Sequence, residues 1–314
     1  MKKSVNLNSY SERFGLIIAF LIMIFTMSLL SDRFLTLSNT LNILRQSSIN
    51  GIIAVGMTMV ILTAGIDLSV GSILGLTAVI TADLLHSGIP PFLAVIIGLL
   101  LGIFIGLVNG LLITRIKIPP FIATLGMMTL ARGLAFTYTQ GKPITGLNES
   151  FRVMGTGMIG SIPLPVIIAA LVFVVGYLFL KKSRHGENIY ALGNNETAAG
   201  FSGISVKRYV TFVYAASGFL SALAGMIIVG RLDSAQPIIG QGYEFDAIAA
   251  VVVGGTSFTG GHGSIWGTLI GVLIIAVINN GLNLLDVSSF YEQVVKGVVI
   301  AVALLLHRLA QKKN

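Results

Sequence analysis

The side chains able to do chemistry in this sequence are few and mostly neutral. Asn50, Asn109, Asn279 and Asn280, with Ser69 and Thr124, interrupt long apolar runs, and Asp67 stands in the short polar stretch Ala64-Gly65-Ile66-Asp67-Leu68-Ser69. An amide both donates and accepts hydrogen bonds, which is what a wall facing an uncharged, polyhydroxylated solute requires. The same groups serve equally as glue between helices in lipid, at about a kcal/mol or less per bond. Only the set argues for a polar path, and Gln46, Ser47, Ser48, Thr58, Thr129 and Asn283 belong to it. Ionisable intruders are fewer: Asp67, Asp83, Arg132, Asp246 and Lys296. Asp83, Arg132 and Asp246 fall where they can snorkel or pair near an interface, and Lys296 either snorkels or forms a buried ion pair. There is no repeated acid or histidine relay of the kind that marks a proton pathway.

Chemical engines are missing. The sequence has no G-x-x-x-x-G-K-[ST] phosphate loop, no H-E-x-x-H metal pair and no G-x-S-x-G nucleophile turn, and its four histidines are far apart. Cysteine is absent, which removes disulfides and thiolate metal sites. Neither catalysis nor ATP binding is expected of this chain, and neither a metal nor a cofactor.

The elements that must position the polar groups follow from composition. The chain has 314 residues, 54% of them hydrophobic and 10% charged, with a mean hydropathy of +0.91; soluble domains carry roughly 25% charged residues. Lipid offers backbone groups no partner, so spans are helices or closed barrels, and the apolar runs lack the alternation of barrel strands. The expected fold is an all-α polytopic membrane protein with lipid around it. The net charge of +8 belongs to basic residues bordering spans and does not point to nucleic acid.

A span needs about 20 predominantly apolar residues. That rule draws ten transmembrane helices, at 14–31, 46–64, 67–86, 91–113, 118–138, 163–180, 209–230, 245–258, 264–285 and 289–308. The first is too long for a secretory leader and lacks a small-residue cleavage pattern after it, so it is expected to stay. With the amino terminus inside, the cytoplasmic pieces hold Lys2, Lys3, Arg13, Arg115, Lys117, Lys181, Lys182, Arg184, Lys207, Arg208, Arg308, Lys312 and Lys313. The outer loops hold only Arg33, Arg45, Lys142, Arg152 and Arg231. This excess puts both termini and residues 181–208 in the cytoplasm.

Two inner connections lack basic residues, 64–69 and the glycine-rich 254–263. Such backbone reaches membrane depth only when buried in protein or lining a wet cavity, so both are candidate breaks near a path. Gly71-Ser72-Ile73-Leu74-Gly75 after the first is echoed by Gly263-Ser264-Ile265-Trp266-Gly267 in the second. Gly98, Gly102, Gly106 and Gly110, and likewise Gly263, Gly267 and Gly271, recur every fourth residue and mark faces where backbones approach closely, within the subunit or between two copies. The connections at 139–162 and 231–244 are the long outer loops.

The longest polar stretch is 181–208, KKSRHGENIYALGNNETAAGFSGISVKR. Asn194 or Asn195 can cap a short helix there, Glu196 suits its positive end, and Gly200 or Gly203 can end it. It is either a surface helix held by basic hinges or a solvated loop.

Several runs resemble a known family. Ala54-Val55-Gly56-Met57-Thr58, Ile61 to Ser72, Phe121-Ile122-Ala123-Thr124-Leu125-Gly126-Met127, Ile189-Tyr190-Ala191-Leu192-Gly193-Asn194-Asn195-Glu196, Ser234-Ala235-Gln236-Pro237, Asp246 to Ser257, and Asn279 to Leu285 are similar to the permease subunits of bacterial ATP-binding-cassette importers for monosaccharides. The resemblance extends along essentially the whole chain. It implies a pair of permease copies forming a homodimer, a cytoplasmic ATPase that drives alternating access, an extracytoplasmic sugar-binding protein, and location in the cytoplasmic membrane. Ribose is the sugar it favours, ahead of xylose, arabinose, galactose and an autoinducer. Such permeases carry an E-A-A-x-x-x-G-like loop, and Ala198, Ala199 and Gly203 match its spacing. Glu196 stands one residue early, with Thr197 in its place. By resemblance, Asn194, Asn195, Glu196, Ala198, Ala199 and Gly203 therefore form the ATPase-coupling segment of one permease domain covering 1–314.

Overall fold

The computed structural model describes residues 7–288 and, beyond them, 291, 294, 295, 297, 298 and 301, with side chains from Gly15 onward. The helix expected at 289–308 falls mostly outside the described residues, as do Lys296, Lys2, Lys3, Arg308, Lys312 and Lys313.

The described chain is helical almost throughout. In order it forms α1 (Leu7–Leu30), α2 (Leu37–Leu62), α3 (Val70–His86), α4 (Pro91–Thr114), α5 (Pro120–Thr139), α6 (Glu149–Thr156), α7 (Leu164–Lys182), α8 (Arg184–Asn194), α9 (Glu196–Phe201), α10 (Val206–Leu232), α11 (Tyr243–Val253) and α12 (Ile265–Leu284). Local chemistry explains the starts. Pro91 and Pro120 open α4 and α5, where a missing N–H costs nothing and φ is already helical. The Ser183 and Ser264 hydroxyls accept from Gly186 N and Gly267 N at the heads of α8 and α12.

Among the described residues five helices, α4, α5, α7, α10 and α12, are long and apolar enough to cross a membrane. The 26-residue α2 is not among them, since its first half carries Asn39, Asn42, Arg45, Gln46, Ser47, Ser48 and Asn50. Helix α10 is the centre, with 78% of its apolar stretch buried against 28% for α4, α5 and α7, and it packs on α2, α3, α4 and α6. The outer helices leave Phe92, Leu100, Phe104, Phe121, Ile122, Leu134, Leu171 and Val175 exposed. Water does not tolerate an apolar surface of that extent; a bilayer requires it. The chain is a multi-pass, mostly helical membrane protein.

The glycine ladders are seams inside the chain. A side chain on Gly102 would strike Gly218 and Ala222, and one on Gly106 the Tyr214 carbonyl, so α4 lies on α10 with backbone nearly touching backbone. Gly267 and Gly271 meet Gly254 and Ala250 in the same way, joining α12 to α11.

Three elements differ from the sequence reading. The helix expected at 245–258 is α11, which has 11 residues and is roughly 16 Å long at 1.5 Å per residue, about half a bilayer core. It ends in a left-handed glycine cap: Gly255 takes φ 85°, and the Gly255 and Thr256 amides donate back to the Val252 and Val251 carbonyls. The polar stretch 181–208, expected to hold one short helix at 194–203, holds two: α9 falls within that range, and α8 precedes it, because Ile189 and Leu192 turn inward and are buried while Arg184 and Glu187 beside them face out. The long connections 139–162 and 231–244 also meet. Strand β1 (Ile144–Thr145) pairs antiparallel with β4 (Ser234–Ala235), while β2 (Met158–Ile159) and β3 (Ile162–Pro163) form a small hairpin.

Candidate functional site

The break between α2 and α3 is held by three other elements, α4, α5 and α10. Its turn passes through Ala64, a non-glycine residue at φ 58°, and carries Asp67 and Ser69 with no exposed surface. One Asp67 carboxylate oxygen accepts from the Ser69 amide at 3.0 Å and the Ser69 hydroxyl at 2.6 Å. The other accepts from Ser217 of α10 at 2.8 Å. Asn109 of α4 donates to the Ser69 hydroxyl at 2.9 Å. The Ile66 carbonyl accepts from Tyr214 of α10 at 3.1 Å and Thr124 of α5 at 3.3 Å. Asp67, Ser69, Asn109 and Thr124, singled out by type, thus form one buried network around irregular backbone. It satisfies the polar groups that such backbone would otherwise strand.

The other three asparagines lie elsewhere. Asn50 donates to Asp246 of α11 at 3.4 Å. Asn280 and Asn39 exchange two amide hydrogen bonds, at 3.0 and 2.8 Å, between α12 and α2. Asn279 is buried on α12, and its side-chain Oδ1, like that of Asn50, has no hydrogen-bond partner among the described residues. Asn50, Asp246 and Asn279 therefore bring polar groups from α2, α11 and α12 into the interior.

Helix α11 is entered through buried loop backbone. Arg132 of α5 donates to the carbonyls of Pro237 at 2.7 Å and Ile239 at 2.8 Å, and Gly240, at φ 80°, closes on Gly71 of α3. Arg132 is thus spent on loop carbonyls, a role that its position alone does not disclose.

The polar segment 183–205 carries the remaining candidates. Asn195 ends α8 and begins α9, where its side-chain oxygen accepts from Ala198 N at 2.9 Å. Ala199 is buried and its carbonyl accepts from Ile204 N, while Gly203 turns the chain away at φ 83°. Asn194, Glu196 and Ala198 are exposed. Beside them Phe201 is 90% exposed, an aromatic on an exposed short helix that the sequence reading passed over. Its signal was a large apolar residue among the small and polar ones of 193–203. Tyr190 and Gly193, also passed over, touch the glycine-rich turn 254–263.

Residues 39–304 match the family described as branched-chain amino acid transport system / permease component. The chain is 52% identical over 309 residues to the ribose import permease protein RbsC of Bacillus subtilis, covering 98% of this chain and 96% of that protein. It is 50% identical over 299 residues to RbsC of Escherichia coli strain K12, covering 94% and 93%. The D-allose transport system permease protein AlsC of the same strain is 41% identical over 314 residues, covering 99% and 96%. No solved structure matches. A match across most of the chain, on a fold of apolar helices with two buried breaks, identifies this protein as a member of the branched-chain amino acid transport system permease family.

Proposed function

We propose that the chain is the permease subunit of an ATP-binding-cassette importer that moves ribose across the cytoplasmic membrane. The observation that carries this reading is the 52% identity to a ribose import permease along nearly its full length, against 41% for the D-allose relative. Residues 1–314 act as one permease domain that crosses the membrane ten times, the short α11 and the loop that enters it together making one crossing, with both termini and 181–208 in the cytoplasm, as the distribution of basic residues supports. Two copies form the pore. With no phosphate loop of its own, the chain relies on a cytoplasmic ATPase for energy and on an extracytoplasmic sugar-binding protein for delivery.

Helix α9 is the docking point for that ATPase. Asn194, Asn195, Glu196, Ala198, Ala199 and Gly203 build and present it, and Phe201 is its anchor, since exposed aromatics that fill a partner's pocket carry much of an interface's affinity. Asn50, Asp67, Ser69, Asn109, Thr124, Asn279 and Asn280 serve the sugar path. Their contacts between helices give way to sugar hydroxyls when helices part, so a buried amide need not be left unpaired.

Detergent purification of the tagged chain from its native membrane tests the reading. An ATPase and a sugar-binding protein are expected to accompany it, and reconstituted vesicles are expected to take up ribose only with ATP. Phe201→Ser and Ala198→Arg are expected to release the ATPase. Uptake driven by an imposed proton gradient without any ATPase would overturn the proposal.

A further inference from the structure

The last turn of α8 is wedged between the two interruptions of the membrane helices. Gly193 faces the Leu62 carbonyl at the end of α2 and the Gly261 amide, both so near that a Cβ has no space. The two interruptions also touch each other: Gly261 N–H donates to the Leu62 carbonyl at 3.0 Å, and Gly260 packs against Ala64 and the Gly193 carbonyl. Two α8 side chains complete the junction. The Tyr190 hydroxyl donates to the Gly263 carbonyl at 3.0 Å, and Asn194 bonds the Tyr190 carbonyl at 3.0 Å and the Gly261 carbonyl at 3.5 Å. Burial raises the Tyr190 phenol above its ordinary pKa, which keeps it a proton donor.

What lies on each side of this junction differs in mechanical character. Toward the cytoplasm, α8 passes to α9 through the single extended residue Asn195, at φ −160°, so no slack separates them. Toward the membrane, the turn 254–263 lies between α11 and α12, with Gly255, Gly260 and Gly261 at positive φ, and the turn at Ala64 lies between α2 and α3. Irregular segments between packed helices are where a chain absorbs large changes of φ and ψ.

We infer that Tyr190, Gly193 and Asn194 are positioning residues of the transport cycle, forming the joint by which movement of α9 turns both helix interruptions together. The inference rests on the proposed docking of the ATPase at α9. It separates two tasks within 181–208: α9 receives the partner, and the end of α8 passes the displacement inward. Because the joint grips both interruptions, α2–α3 and α11–α12 shift as one event.

The test measures ATP hydrolysis and ribose uptake on the same vesicles, containing the chain with its co-purified ATPase and sugar-binding protein. Tyr190→Phe is expected to keep the ATPase bound and hydrolysis within about two-fold, while uptake falls about five-fold, the scale of one lost hydrogen bond. The ratio of ATP consumed to sugar moved therefore rises. Gly193→Ala is expected to raise it at least as far; should that variant fail to fold, Tyr190→Phe, which only removes an atom, still decides. A purely structural role lowers hydrolysis and uptake in proportion, and that result, or unchanged uptake in Tyr190→Phe, overturns the joint. If the unsubstituted chain brings down no ATPase, the docking at α9 is overturned and the joint falls with it.

Discussion

Asp67 ties the break between α2 and α3 to the central helix α10. Its carboxylate organises the 63–69 turn, and the Ser217 hydroxyl brings in α10 from 150 positions away. Ser217→Ala removes that donor from a site with no access to water. Leaving a buried acceptor unmet costs about 1–3 kcal/mol, and thermal unfolding in detergent is expected to register a destabilisation of that size. Thr129→Ala should show almost none, because Thr129 is exposed and bonds only carbonyls of its own helix. Residue types were legible at this scale: an aspartate, a serine, an asparagine and a threonine in apolar runs announced that something polar lay inside. Their grouping was not legible, because Ser69 and Asn109 are 40 residues apart and nothing in either run names the other. The same limit hid the Asn39 and Asn280 pair, whose members lie 241 residues apart.

At the scale of elements, a period of four glycines was the most readable feature. A face of four small residues on α4 promises a close neighbour, and that neighbour is α10. Gly106→Leu is expected to disrupt folding, because even its Cβ would meet the Tyr214 carbonyl, and backbone cannot step aside. Gly126→Leu on α5 is the control, with no atom within 4 Å of the added carbon. Size-exclusion profiles and unfolding temperatures should separate the two variants, with Gly106→Leu lost or several degrees lower and Gly126→Leu unchanged. Helix starts were legible where Pro91 and Pro120 supplied them. The end of α11 was misplaced, because hydrophobicity carries on through Val251, Val252 and Val253 and a span drawn by length runs past the left-handed cap at Gly255 that ends the helix. Helix α8 was missed for the opposite reason: Arg184, His185, Glu187 and Asn188 give its first half a polar composition, while two inward residues, Ile189 and Leu192, decide its fold.

For the whole molecule, the distribution of basic residues yields a topology that can be checked directly. The chain contains no cysteine, so single cysteines report without background. Arg184→Cys is expected to react with a membrane-impermeant maleimide only from the cytoplasmic side, and Lys142→Cys only from outside. The reverse pattern, or both from one side, would invert or break the ten-span arrangement. The seam between α4 and α10 has a further consequence at this scale. Helices whose backbones interlock can pass each other only in steps of a whole turn, about 5.4 Å, and Gly98, Gly102, Gly106 and Gly110 all engage at once. Such a pair behaves as a stator. Any swing that opens the protein first to one side and then to the other is borne by helices outside that pair, and a probe fixed between α4 and α10 is expected to record almost no displacement through a full cycle.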